Sequence, residues 1–326
     1  MTSPRPDTLS PRARRALRDA DTRGVGLEIG PSFNPIAPRA AGFDIRILDH
    51  ANRADLVEKY RAAGLSEAEL MRIEDVDYVW TGGPITDAIP ADQRFDYIVA
   101  AHVIEHTTDL VGFLRAASDL LAPGGVLSLI VPDKRYCFDR LRPLTTAGQV
   151  VEAHLLPRTF HGPAAFIDTH LYSVRSNGTG MVWDRETTHH LELAQCSWGA
   201  ARHTIDRTLN SDEYNDIHRW VFTPTSLELL LSDLYHLGFT DMRVSSLAET
   251  HSFEFFATLT RTTTPAASSD PVANDYRATL LSRITQEETA VTMPAGGRES
   301  PGHYLRQRAR RVRSKARSLV AGHARR

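Results

Sequence analysis

An α/β fold, a doubly wound and mostly parallel sheet, is what this sequence predicts, on three observations. Short apolar runs alternate with stretches of helical periodicity from about residue 22 to 262. One run, Val126-Leu127-Ser128-Leu129-Ile130-Val131, is almost unbroken, as expected of a strand covered on both faces. The strand ends carry glycine and acid residues rather than hairpin turns, so the connections read as right-handed crossovers.

The elements follow in order. Gly26-Leu27-Glu28-Ile29 is a first strand, Phe43 to Leu48 a second, Asp77 to Trp80 a third, and Phe95 to Ala100 a fourth. Leu110, Phe113, Leu114, Ala117 and Leu121 share one face of a helix, which Pro123-Gly124-Gly125 stops before the fifth strand. Thr223 caps a helix over 225–237 whose first turn holds Pro224 and which Gly238 ends. Met242 to Leu247 and Glu254 to Thr260 then form an antiparallel closing pair. Between 141 and 219 the alternation fails, and this polar stretch, rich in histidine and aromatic residues, reads as a substrate-binding insertion.

Composition narrows the class. The chain has 326 residues and a formal net charge of −2, a balance that points to no nucleic-acid partner. Its two cysteines, Cys137 and Cys196, make neither a disulfide framework nor a zinc knuckle, and a reducing cytosol is the expected compartment. The N-terminus lacks the apolar core of a secretory signal, and no run approaches the ~20 residues that cross a bilayer. Residues 1–21, rich in proline and arginine, read as a flexible leader. Residues 263–326 read as a linker, a short polar helix over 274–288 and a basic tail, none with the periodicity to share the core. From Arg306 to Arg326 there are eight arginines, Lys315 and no acid. As a helix, that tail would set Leu305, Val312 and Leu319 on one stripe, able to touch an anionic membrane surface.

The first strand runs into Gly30-Pro31-Ser32-Phe33-Asn34-Pro35, and the second ends on Asp49. In a doubly wound sheet the first turn brings backbone amides to a ligand, and an acid ending the second strand accepts from ribose hydroxyls. A dinucleotide turn would need G-x-G-x-x-G, which this turn does not hold. LEIGPS, ILDH, FDYIVAAHVIEH and LLAPGGVLSLIVPD, in that order, resemble the motif set of class I S-adenosylmethionine-dependent methyltransferases, most closely a methyltransferase-11-like group. The resemblance implies a Rossmann-like fold with an antiparallel closing strand, and S-adenosyl-L-methionine as cofactor. It implies Glu28, Gly30 and Pro31 at the methionine end, Asp49 at the ribose, and His50 beside the adenine. Ala101 and His102 would line the sulfonium side. Where relatives place an acid after the third strand, this chain reads Trp80-Thr81-Gly82-Gly83, which leaves Thr81 or a backbone carbonyl for the adenine amine.

Three residues are candidates for the chemistry. His106 stands at the end of the fourth strand, where a base could take a hydroxyl proton. Asp133 follows the fifth strand, and Asp216-Ile217-His218-Arg219-Trp220 alternates so that Asp216, His218 and Trp220 share a face. Arg135 could grip a substrate anion, or Asp133 could cap a helix start. Six histidines populate the insertion (His154, His161, His170, His189, His190, His203), but their spacing matches no ligand pattern and no metal is expected. The sequence thus reads as a methyltransferase for a small molecule, O-directed; a glycan or glycosylated intermediate as acceptor is what the family resemblance implies. The competing reading is a cofactor-binding scaffold without catalysis.

Overall fold

The computed structural model describes residues 9–177, 180–184, 191–194, 198–209, 213–264 and 271–290. The basic tail, His189, His190 and Cys196 lie outside the described residues. The first half contains α1 (Pro11–Ala16), β1 (Gly26–Ile29), β2 (Ile45–Asp49), α2 (Arg53–Ala62), α3 (Glu67–Leu70), β3 (Tyr78–Val79), β4 (Phe95–Ala101), α4 (Leu110–Leu120) and β5 (Leu121–Pro132). Then come α5 (Ala147–Leu155), α6 (Pro163–Tyr172), β6 (Val174–Ser176), β7 (Leu191–Leu193), α7 (Trp198–Leu209), α8 (Pro224–His236), β8 (Met242–His251), β9 (Glu254–Arg261) and α9 (Pro271–Ala290).

One seven-stranded sheet runs β3-β2-β1-β4-β5-β9-β8, parallel from β3 to β5 and antiparallel at β9 and β8. The chain moves outward from β1 to β3 and then returns to β4 on the other side of β1. The carboxyl ends of β1 and β4 therefore flank the point where strand order reverses, the place such sheets bind ligands. Close approach fixes Gly26: a Cβ there would stand 2.2 Å from the Tyr97 ring.

Strand alternation in β5 sorts the core. Leu127, Leu129 and Val131 face one layer with α4 and α8, packed through Leu110, Phe113, Leu114, Leu227 and Leu231. Val126 and Ile130 face the other, with Ile45, Ile47 and Tyr97. That second face is covered by α1, whose Ala13 and Ala16, with Leu17, are buried against it. Ser128 donates to the Ala16 carbonyl at 2.6 Å, and Arg12 pairs with Glu254 at 2.7 Å. The expected flexible leader is thus, from Leu9 onward, part of the core; small alanines let a short helix lie close to the sheet. Helix α8 is capped by Thr223 as expected, its hydroxyl accepting from Ser226 N. Where the insertion was read, α5, α6, α7 and the β6–β7 pair stand. No helix among the described residues is long and apolar enough to cross a membrane.

The segment after 262 also departs from expectation. Its helix begins at Pro271, and the compact unit extends to Glu288. Arg277 pairs with Asp233 of α8 at 2.8 Å, Tyr276 donates to Glu228, and Lys134 meets Glu288 at 3.3 Å. Leu280 is fully buried. A single deep leucine with charged flanks gives almost no hydrophobic periodicity, which is why the sequence reads there as a polar helix apart from the core. Leu280→Ala should cost about 2–4 kcal/mol of stability. Thermal melts check this, and an unchanged midpoint would show that α9 adds nothing to the domain.

Candidate active site

The turn after β1 is held from below by Glu28. Its fully buried carboxylate accepts from Ile36 N at 2.6 Å and Ala37 N at 3.0 Å. Both oxygens serve the loop backbone, so Glu28 shapes the crevice rather than lining it. Burial pushes its carboxyl up to about 7, against the pull of those two amides. Gly30 (φ +63°) and Ser32 (φ +53°) are both left-handed, and Gly30 N donates to Leu48 O at 2.8 Å. A Cβ on Gly30 would meet only Val103 within 4 Å, at 3.6 Å, so the glycine opens the space above it. Pro31 is buried beside it.

Asp49 ends β2 at this turn. Its Oδ2 accepts from Ser32 N at 3.3 Å, and its Oδ1 from His50 N at 2.7 Å, with the His50 ring at 2.6 Å. An ionised carboxylate has about four acceptor positions, so capacity for hydroxyl donors remains. His50 is half exposed and reaches Lys59 through Nε2 at 2.9 Å. Thr81 lies exposed one residue beyond Trp80, whose amide donates to Asp49 O at 2.9 Å. Phe33 and Tyr60 meet edge-on at 5.2 Å to wall the crevice. The buried Ser32 hydroxyl lies beside the Tyr60 hydroxyl. An open turn and a carboxylate with spare acceptor capacity fit a polar nucleoside ligand such as S-adenosyl-L-methionine.

The fourth strand ends at Ala101, partly exposed, and His102, held at φ +55°. The His102 ring turns toward Glu254 (2.8 Å), which also binds Arg12, so it is anchored to β9. The next turn carries Glu105 and His106. The backbone carbonyl of Glu105 accepts from both Arg219 N at 2.7 Å and Trp220 N at 3.1 Å, which docks the extended segment 213–222 against β4. Trp220 donates through Nε1 to Thr107 O at 2.8 Å, and Arg142 donates to His218 O at 2.9 Å.

That docking joins His106 and His218 edge to face, 4.6 Å between ring centroids. His218 Nδ1 lies 2.6 Å from Asp139 Oδ2, and Arg142 holds Asp139 Oδ1 at 2.8 Å. His106 Nδ1 lies 2.7 Å from Asp216 Oδ1. Burial disfavours the charged form of His106, but the Asp216 contact and the Glu105 charge outweigh it, and its pKa sits above the ordinary imidazole value. The Asp216 carboxyl, bonded to His106, is held down at about 2. Burial raises the Tyr60 hydroxyl, against the pull of its hydrogen bond with Ser32, and the charges of Asp49 and Asp216 raise it further. Glu105 is fully buried, and neither carboxylate oxygen has a hydrogen-bond partner. Glu105, His106 and His218 each offer a ligand atom within 4.8 Å of the others.

Asp133 does not join them. Its buried carboxylate takes Arg135 Nε at 2.9 Å and Nη2 at 2.5 Å, together with Thr250. Arg135 N completes a helix cap at 3.0 Å. The β8–β9 hairpin lies over the end of β5, so Asp133 and Arg135 satisfy one another, which corrects the expectation of a catalytic Asp133. His154 pairs with Asp109 at 3.0 Å, and His170 lies 3.2 Å from Thr204. His161 is buried beside Tyr214 (5.2 Å), where burial and the charges of Arg219 and His106 lower its pKa to about 4. Sequence reasoning passed over Asp139; nothing local in the sequence pairs it with a histidine so far along the chain.

The sequence profile of a family described as a methyltransferase domain matches residues 15–234. The ubiquinone biosynthesis O-methyltransferase of Methylobacterium sp. (strain 4-46) is 28% identical over 120 residues, 37% of this chain and 47% of that one. The match therefore spans less than half of that relative. Among solved structures, the CcbJ methyltransferase from Streptomyces caelestis is similar at 15% identity and a TM-score of 0.40, over 79% of this chain and 99% of that one. The glycopeptide N-methyltransferase MtfA complexed with S-adenosyl-L-methionine is similar at 12% identity and a TM-score of 0.37, over 77% of this chain and 93% of that one.

The buried Glu28 makes a pH prediction. Its folded pKa, about 7, lies above the ordinary 4.5, so its contribution to stability is complete below 4.5 and is lost as pH rises through 7. Glu28→Gln removes the ionisation. The stability difference between wild type and variant should shift by up to about 3 kcal/mol between pH 4.5 and pH 8, to the wild type's disadvantage at high pH. Urea unfolding across that range measures it, and a pH-independent difference would show that Glu28 stays ionised throughout.

Proposed function

The chain belongs to this methyltransferase-domain family, and from that premise we propose that it methylates a hydroxyl oxygen of a small molecule, a glycan or glycosylated intermediate. It is an enzyme, and S-adenosyl-L-methionine is its cofactor. The observation that carries the O-directed reading is the Glu105–His106–His218 cluster beside the cofactor crevice, because a hydroxyl acceptor, unlike an amine, gains from a group that helps remove its proton.

The cofactor supplies an electrophilic methyl on a sulfonium. In this reading the Gly30–Ser32 turn and the Ser32 hydroxyl receive its amino-acid arm, and Asp49 accepts from its ribose hydroxyls. His50 and Thr81 border the adenine, and Ala101 and the backbone of His102 line the sulfonium side. The acceptor enters between the crevice and segment 213–222, where Tyr214 and His161 form a wall and the histidine pair meets its hydroxyl. Transfer forms an oxygen–carbon bond and breaks the sulfur–carbon bond. The electron pair stays on sulfur and the hydroxyl proton is released. Positioning of the two reactants supplies much of the acceleration.

Calorimetry should show binding of S-adenosyl-L-methionine and S-adenosylhomocysteine, and none of NAD. Asp49→Ala should weaken that binding by about 1–3 kcal/mol. NAD binding without a response to either sulfur ligand would overturn the assignment. His106→Ala should lower turnover of a hydroxyl acceptor by roughly 10²–10⁴ while S-adenosylhomocysteine affinity changes little. Unaltered turnover in the folded variant would remove His106 from the reaction. Tight cofactor binding without turnover of any acceptor would favour a scaffold.

A further inference from the structure

We infer that Glu105, His106 and His218 form a binding site for one divalent transition-metal ion, set to receive the acceptor oxygen; only that last role rests on the methyl-transfer reading.

The first support is the unmatched carboxylate. Glu105 is fully buried with neither oxygen hydrogen-bonded. Its ion-pair neighbour among the described residues is the His102 ring at 3.5 Å, itself engaged by Glu254. Burying a carboxylate without compensation is among the costliest arrangements a fold can hold, and a coordinated cation relieves it. Around it, three carboxyl groups (Glu105, Asp139, Asp216) meet three imidazoles (His102, His106, His218) and one guanidinium, Arg142.

The second support is independent and lies behind the histidines. Metal-bound imidazoles characteristically donate their other ring N–H to a carboxylate, which fixes the tautomer and raises ligand basicity. His218 Nδ1 contacts Asp139, leaving Nε2 for an ion, and Asp139 is steadied by Arg142. The Asp216 carboxylate stands 2.7 Å from His106 Nδ1, an ion-pair distance without the alignment of a hydrogen bond. The three ligand atoms fall within 4.8 Å of one another. Bonds of about 2.0–2.2 Å set opposed ligands roughly 4.2 Å apart, so small side-chain rotations close the site.

Two imidazoles and one carboxylate favour zinc, manganese, cobalt or iron(II) over magnesium or calcium, which prefer oxygen donors. Three protein ligands leave open positions, the arrangement of a working rather than a purely structural ion. A hydroxyl that fills one loses its proton to solvent more readily, which a lone imidazole achieves less well. The insertion's histidine spacing could not disclose this site: two ligands come from the end of β4 and one from the segment that docks on it.

The test is direct metal binding by the full-length protein. After EDTA treatment and dialysis against cobalt(II), absorption spectra and elemental analysis should show a single bound equivalent with imidazole-ligated d–d bands. S-adenosylhomocysteine binding is followed by calorimetry in the same samples. Glu105→Gln and His218→Gln should abolish cobalt binding yet keep the sulfur ligand. Asp139→Asn, or Asp216→Asn should the former not fold, should weaken cobalt binding about 10–100-fold. His251→Gln, an exposed residue on β8, should leave it unchanged. Wild type that binds S-adenosylhomocysteine but no cobalt or zinc would overturn the metal site and leave the methyltransferase reading intact. Cobalt retained by both Glu105→Gln and His218→Gln would overturn it too. Absence of sulfur-ligand binding with cobalt bound would instead sink the methyltransferase reading alone.

Discussion

The peptide carbonyl of Glu105 is the point on which the site depends. By accepting the amides of both Arg219 and Trp220, it fastens a segment from after the insertion to the end of β4. Those bonds, with Trp220 Nε1 to Thr107 O, Arg219 to Thr108 O and Arg142 to His218 O, set His218 and Asp216 beside His106. The arrangement is economical in backbone terms. A tight turn after a buried strand leaves carbonyls that a helix would have used, and an extended segment supplies amides that no strand of the main sheet takes. Both sets of orphans are satisfied at once, and the side chains next to them are brought together as a consequence.

Much of the fold was legible because strands buried on both faces announce themselves. Val126 to Val131 and Phe95 to Ala101 are such runs, and helix α8 carries a Thr-Pro start with few alternative readings. What was misread sits at the edges. Leu9, Ala13, Ala16, Leu17 and Ala20 do have helical spacing, but the arginines and prolines among them suggested a solvated leader. Their partner is the second face of the sheet, which cannot be known to need cover until the sheet is assembled. The same holds for α9, where one buried leucine and several ion pairs replace the apolar stripe that periodicity detects.

Legibility of the site divides along the same line. The crevice around Gly30 and Asp49 is built from turns at the ends of neighbouring parallel strands, so its residues lie close to recognisable strand boundaries. Glu28 shows the limit even there. Its position was legible but its work was not, since the choice between ligand contact and loop support depends on where Ile36 and Ala37 return. Asp133 failed for a tertiary reason, because Thr250 and Arg135 reach it only once the β8–β9 hairpin has folded across β5.

This division has a chemical consequence. Residues 28–106 build the crevice at the strand ends, and the sheet holds their geometry. Residues 139–142 and 214–220 lie opposite and depend on long-range contacts such as His218–Asp139 and Arg142–His218 O, and on the carbonyl of Glu105. Change confined to the insertion between them, α5 to α7, can therefore alter the surroundings of His161 and Tyr214 without disturbing Asp49 or Gly30. The constraint runs the other way for Glu105. Its side chain faces the histidine pair while its carbonyl holds the segment that brings one of them, so a substitution that shifts the backbone there would unseat segment 213–222 and the charge cluster together. Isosteric replacement, which keeps the backbone and removes only the charge, is what separates those two roles.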